Sequence, residues 1–164
     1  MPIAIYLFIF IELCFVAYLD FKYKKIKNIW SVLNLLIALI LFFAYPDLYP
    51  FGIEMFQFTL VFLLVGFVLF MLKVMGGGDS KFLATVFLVI PLKQQDIVFY
   101  NLLISTIIIG GIVFVNNIIV YRRELYKSIK NMDVEGIKKC FGKKFPYAPV
   151  ILLAWVWFGW TIMM

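Results

Sequence analysis

The chain is divided into long apolar runs, and their number and spacing leave few ways to fold it. They cover residues 3–19, 29–44, 53–72, 82–92, 97–120 and 145–164. A helix needs about 20 apolar residues to cross a hydrocarbon core, so these runs point to six membrane-spanning helices. Composition agrees: 65% of the residues are hydrophobic, where a soluble domain is nearer half. So much of the chain lies in these runs that a single membrane-embedded domain over residues 1–164 is expected, with no separate soluble domain.

Charge placement tests the six-helix count, because loops facing the cytoplasm carry an excess of lysine and arginine. The first, third and fifth loops hold 14 of the 15 basic residues, from Lys22, Lys24, Lys25 and Lys27 through Lys73 and Lys81 to the stretch from Arg122 to Lys144. Lys93 is the exception, and Asp47, Glu54 and Asp96 mark the other loops. Five helices would spoil this alternation. The expected architecture is therefore an all-α integral membrane protein, a six-transmembrane-helix bundle of the cell membrane with both termini outside. Its cytoplasmic loops lie at about residues 20–28, 73–81 and 121–145. The net charge of +6 is then a matter of topology and lipid contact rather than of nucleic acid. The first run has no basic flank before it and no small-residue cleavage site, and reads as a retained helix rather than a signal peptide.

Two segments need more thought. Residues 82–92 would rise only about 16 Å as a helix, against a hydrocarbon core of about 30 Å. The fourth segment must therefore draw in residues 76–81, which brings Asp79 to the cytoplasmic boundary. The long fifth loop has room for a short amphipathic helix near residues 122–132, although the excess of basic residues on its own favours a solvated loop that serves topology.

Histidine is absent, which removes His-based zinc sites, serine triads and Cys-His pairs. Cys14 and Cys140 have no CxxC spacing and read as unpaired. No cofactor or metal is implied. What remains are acids. Asp20 ends the first helix and Asp79 opens the fourth on the same side, so topology brings the two carboxylates to one depth. Such a pair hydrolyses a peptide bond when repulsion and desolvation keep one member protonated and the other ionised. Glu12, about 12 Å deeper than Asp20, is costly unpaired in a membrane and suits an interhelical hydrogen bond. The glycines Gly76, Gly77 and Gly78 precede Asp79 and, without Cβ atoms, permit positive φ and the close approach of another backbone. Neither the phosphate-loop nor the dinucleotide-binding glycine pattern fits "GGGDSK".

The sequence resembles the type IV prepilin peptidases and archaeal preflagellin peptidases, membrane aspartyl proteases of the GxGD type. The likeness rests on "LDFKYKKIKN" at residues 19–28, with Lys27 where the family pattern has proline, and on "GGGDSK" at residues 76–81. It extends to "KKFPYAPVILL" at residues 143–153, where Pro146, Ala148 and Pro149 precede the last helix. The resemblance implies Asp20 and Asp79 as the catalytic pair, Gly76, Gly77 and Gly78 as a substrate-approach or flexible element, and Lys81 as a neighbouring charge. It implies cleavage of a basic leader from a prepilin-like or preflagellin-like precursor on the cytoplasmic side. The chain has no cysteine-rich insertion and so resembles the short, peptidase-only type. Two other classes fit the bare pattern: a proton-coupled transporter using Glu12, Asp20 and Asp79 as a relay, and a non-catalytic assembly subunit in which the acids are dispensable.

Overall fold

The computed structural model describes residues 1–71, 75–130, 133 and 147–163. The described residues form six α-helices: α1 (Ile3–Tyr23), α2 (Asn28–Ala44), α3 (Ile53–Met71), α4 (Gly77–Val89), α5 (Leu92–Lys130) and α6 (Ala148–Met163). No strand occurs among them. Each follows an expected apolar run, and α4 draws in the glycine segment, as its short run required. Lys73, Cys140, Lys143, Lys144 and Pro146 lie outside the described residues.

By length and composition, α1, α3 and the stretch Leu92–Ser128 of α5 are able to cross a membrane, while α2 and α6 are shorter apolar helices. Large apolar side chains such as Phe43, Ile53, Leu64, Phe67 and Ile107 are exposed. An outer surface of that kind suits lipid and not water. The last part of α5, beyond a non-helical Tyr121 (φ −99°, ψ 15°), turns polar and exposes Arg122, Arg123 and Lys127. The fifth-loop helix thus continues α5 across a kink.

Packing sets the helices in two groups. α6 lies against both α1 and α5, while α4 lies against α2 and α3. Tyr6 stacks on Trp155 with ring centroids 5.3 Å apart, and the missing side chain of Gly159 makes room for the Tyr6 hydroxyl. Gly66 does the same for Ser80 where α3 crosses α4. Helices in lipid gain little from hydrophobic burial against one another, so close backbone approach at small residues is what holds such crossings. Phe58 and Phe62 of α3, Phe87 of α4 and Phe99 of α5 join the two groups through ring contacts of 4.7–6.0 Å.

The short α4 is the centre of the molecule. Every residue from Phe82 to Pro91 is buried, so the helix meets protein on all sides. Its length, about 20 Å at 1.5 Å per residue, then need not match a lipid thickness. Ending a helix inside a protein leaves carbonyls without partners, and two distant side chains supply them. Gln95 donates through Nε2 to the Phe87 and Ile90 carbonyls at 3.0 and 3.2 Å. The Tyr49 hydroxyl donates to the Val89 carbonyl at 3.0 Å, and burial pushes its phenol up, keeping it a donor. Tyr49 belongs to the α2–α3 loop, which folds inward to fill the space that α4 does not reach; it is 0% exposed.

Candidate active site

The buried residues of α1, namely Ile9, Glu12, Leu13, Val16, Ala17 and Asp20, recur at steps of one, three and four. One face of the helix therefore points inward, and it carries both acids. Asp20 is 2% exposed. Its Oδ2 accepts the Ala148 N–H at 3.2 Å, and its carboxylate also accepts the Tyr147 N–H. These amides open α6, where first-turn N–H groups lack intrahelical acceptors and the positive helix end favours an anion. Asp20 thus caps α6 from another helix. Pro149, the second residue of α6, costs nothing there because its missing N–H would have had no helical partner. Tyr147 is held in turn by its hydroxyl, 3.4 Å from Thr106 Oγ1 of α5. Burial pushes the Tyr147 phenol up, and the Thr106 contact offsets this in part.

Asp79 occupies the third position of α4 and is 8% exposed. Its Oδ2 turns back to accept the Gly76 N–H at 3.1 Å, satisfying an amide ahead of the first turn. The glycines do not use the positive φ expected of them: no described glycine has one. Gly76 is extended (φ −77°, ψ 143°), and Gly77 and Gly78 are helical. Close approach is the property that matters, and at one position above all. A Cβ on Gly78 would collide with the main-chain carbonyl oxygen of Ile26. At Gly77 a Cβ would make an ordinary 3.5 Å contact with the Phe70 ring. The backbone lying against Gly78 is therefore the chain's own α1–α2 loop.

That contact joins the two motif segments. The chain leaves α1 through Lys24, whose N–H bonds to the Asp20 carbonyl at 2.7 Å, and passes Ile26, which is buried against Gly78. It enters α2 after Lys27 at φ −76°, ψ 142°. This is the conformation that a proline would preset, so lysine at the family's proline position follows the path a proline there would take. Between the loop and the start of α4 lies a cavity of about 740 Å³, lined by Tyr23, Lys24, Lys25, Ile26, Asn28, Phe70, Met75, Gly76, Gly77, Gly78 and Asp79. Asp79 and all three glycines thus share one cavity, which Asp20 does not line. Lys81 is exposed on another side of α4 and borders two smaller cavities instead. Glu12 lies deeper, facing Asn34 of α2 in a contact outside strict hydrogen-bond geometry.

A model of the type IV leader peptidase family matches residues 7–115, well over half the chain and inclusive of both motif segments. The chain belongs to this family. No curated protein and no solved structure matches it. A type IV leader peptidase is an aspartic-type peptidase acting on a precursor protein, and the apolar helices agree with a membrane protein. The α6 amides that hold Asp20 fall beyond the matched residues, and sequence reasoning missed their contact with it. It also missed Lys24, Lys25, Phe70 and Met75 as cavity residues. The clue for Asp20 was the Ala148–Pro149 start of a helix, since such a start always leaves amides in need of an acceptor.

Proposed function

We propose that this leader peptidase is a GxGD-type aspartyl endopeptidase that removes the leader from prepilin-like or preflagellin-like precursors at the cytoplasmic membrane face. Asp20 and Asp79 are its catalytic pair. The observation that carries the reading is the seating of the Ile26 carbonyl on Gly78, which packs the segment following Asp20 against the segment carrying Asp79. The family match across both supports it.

The chemistry follows from two carboxyl groups acting on one water. The ionised member takes a proton from the water as its oxygen attacks the scissile carbonyl, and the protonated member donates to the developing oxyanion. Collapse of the tetrahedral intermediate breaks the C–N bond, and a proton passes to the leaving amine. The pair titrates as a unit, so neither role belongs to one aspartate alone. Backbone amides at the start of a helix steady each carboxylate, from α6 for Asp20 and from Gly76 for Asp79.

Purified protein mixed with a prepilin-like precursor tests the reading. Asp20→Asn and Asp79→Asn are each expected to lower cleavage by at least about 10²-fold, the lower range for losing an acid–base group. Cleavage at the wild-type rate in either variant refutes the pair, and proton flux without cleavage favours a transporter.

A further inference from the structure

Asp20 is held by amides, and amides fix a carboxylate only as firmly as they are fixed themselves. Tyr147, the residue before α6, meets three helices with its three polar groups. Its N–H goes to Asp20 of α1, its carbonyl accepts the Val150 and Ile151 N–H groups of α6 at 3.0 and 3.3 Å, and its hydroxyl lies 3.4 Å from Thr106 Oγ1 of α5. Serine, threonine, aspartate and asparagine are favoured ahead of a helix because their short side chains reach back to first-turn amides. The tyrosine hydroxyl is too far from its own backbone for that, and Asp20 takes the Ala148 amide in its place. The phenol is left free to reach another helix.

Thr106 fixes the direction of that contact. A hydroxyl has one proton to give, and Thr106 gives its proton to the Leu102 carbonyl at 2.7 Å. Its oxygen is then the acceptor and the Tyr147 hydroxyl the donor. A line of polar contacts thus leads from the main chain of α5 through Thr106 and Tyr147 to the carboxylate of Asp20. The Tyr147 ring packs against the hydrophobic core, which a phenylalanine would do as well, so burial does not explain the hydroxyl. Water activation by two carboxyl groups gives neither side chain a task, and the family match ends at residue 115, short of Tyr147.

We propose that Tyr147 and Thr106 are positioning residues for Asp20: α5 holds the phenol, the phenol holds the first amides of α6, and those amides hold the carboxylate where it acts on water. The proposal rests on the reading of Asp20 as one half of the catalytic pair. Support of this kind matters because a misplacement of about 1 Å at the reacting groups costs ~10²-fold in rate. Neither side chain touches the precursor, so losing either lowers kcat and leaves KM in place.

The test uses full-length enzyme in nanodiscs and a model precursor with a short leader followed by a hydrophobic helix. Tyr147→Phe removes one oxygen and keeps the ring, and Thr106→Val removes the acceptor at nearly constant volume. Each is expected to lower kcat about tenfold with KM within about twofold of the wild type, the pattern of a contact that serves the transition state alone. The double variant falls no further than either single one, since both break the same line of contacts. Thr106→Ser keeps the hydroxyl and cleaves at close to the wild-type rate. Should Tyr147→Phe fail to fold, the contrast between Thr106→Val and Thr106→Ser decides by itself. Wild-type kcat in Tyr147→Phe or Thr106→Val overturns the positioning role, even if the melting temperature falls, and so does a rise in KM at constant kcat. Losses that add in the double variant overturn it too. In each of those cases cleavage that still depends on Asp20 leaves the peptidase reading standing, whereas no cleavage by the wild type sinks that reading and the positioning role with it.

Discussion

Three adjacent glycines look equivalent on paper, and the fold gives them different work. Gly76 stays extended and offers its N–H to Asp79, Gly77 could carry a Cβ at ordinary contact with Phe70, and Gly78 has the Ile26 carbonyl where a Cβ would stand. The difference predicts opposite outcomes for one added methyl group. Gly77→Ala is expected to raise stability by about 0.5–1 kcal/mol, since alanine loses less backbone entropy than glycine in a helix. Gly78→Ala has to push back a main-chain oxygen, so it is expected to lower stability by about 1–3 kcal/mol, as overpacking does. It also parts the two motif segments, and cleavage should fall with it. Thermal melts of both variants, with a cleavage assay of Gly78→Ala, check this. If both variants melt alike, the Gly78 contact is not what the motif preserves. The acids were legible in the sequence because a carboxylate in an apolar run needs a reason. The division of labour among the glycines was not, since it depends on a residue 52 positions away in the chain.

Among the elements, α4 departs furthest from what its sequence suggests. Its apolar run is too short for a span, and drawing in the glycine segment lengthens it to only about 20 Å. The structure instead surrounds it with protein and folds Tyr49 and Gln95 over its end. Hydropathy identified all six helical runs because each is mostly apolar and separated from the next by polar or charged residues. It had no means of telling a helix buried by its neighbours from one facing lipid, because both are apolar all round. Nor did it mark Gln95, a polar residue at the start of α5 whose partners lie at the end of α4 and on Met55 of α3. Gln95→Leu keeps much of the side-chain volume and leaves the Ile90 carbonyl without its donor, while the Phe87 carbonyl keeps only the Ile90 N–H. The cost of an unsatisfied buried acceptor is about 1–3 kcal/mol, and the effect should appear as a lower melting temperature with no new charge introduced. A melting temperature equal to that of the wild type would mean that water or another donor already serves those carbonyls.

At the level of the whole molecule, contacts far apart in sequence sort the loops between two ends. Ile26 touches Gly78 and Asp20 holds Ala148, which gathers the α1–α2 loop and the starts of α4 and α6 at one end. The Tyr49 hydroxyl reaches Val89, and the Leu92 N–H bonds to the Leu48 carbonyl at 3.3 Å, which gathers the α2–α3 loop and the α4–α5 junction at the other. This is the alternation that the lysines mark, with Lys24, Lys25 and Lys27 at the first end and Asp47 near the second. Charge pattern and packing are separate kinds of observation, one governed by membrane insertion and the other by side-chain fit. Their agreement predicts that the end carrying Asp20 and Asp79 faces the cytoplasm, where a leader peptide would first meet the enzyme. The check is single cysteines at positions 25, 47, 96 and 123 in a Cys14→Ser, Cys140→Ser background, treated in intact cells with a membrane-impermeant maleimide. Positions 47 and 96 should label, and 25 and 123 should label only after the membrane is permeabilised. Labelling of position 25 in intact cells would turn the end carrying Asp20 and Asp79 outward, away from any precursor still in the cytoplasm, and the proposed cleavage could not take place there.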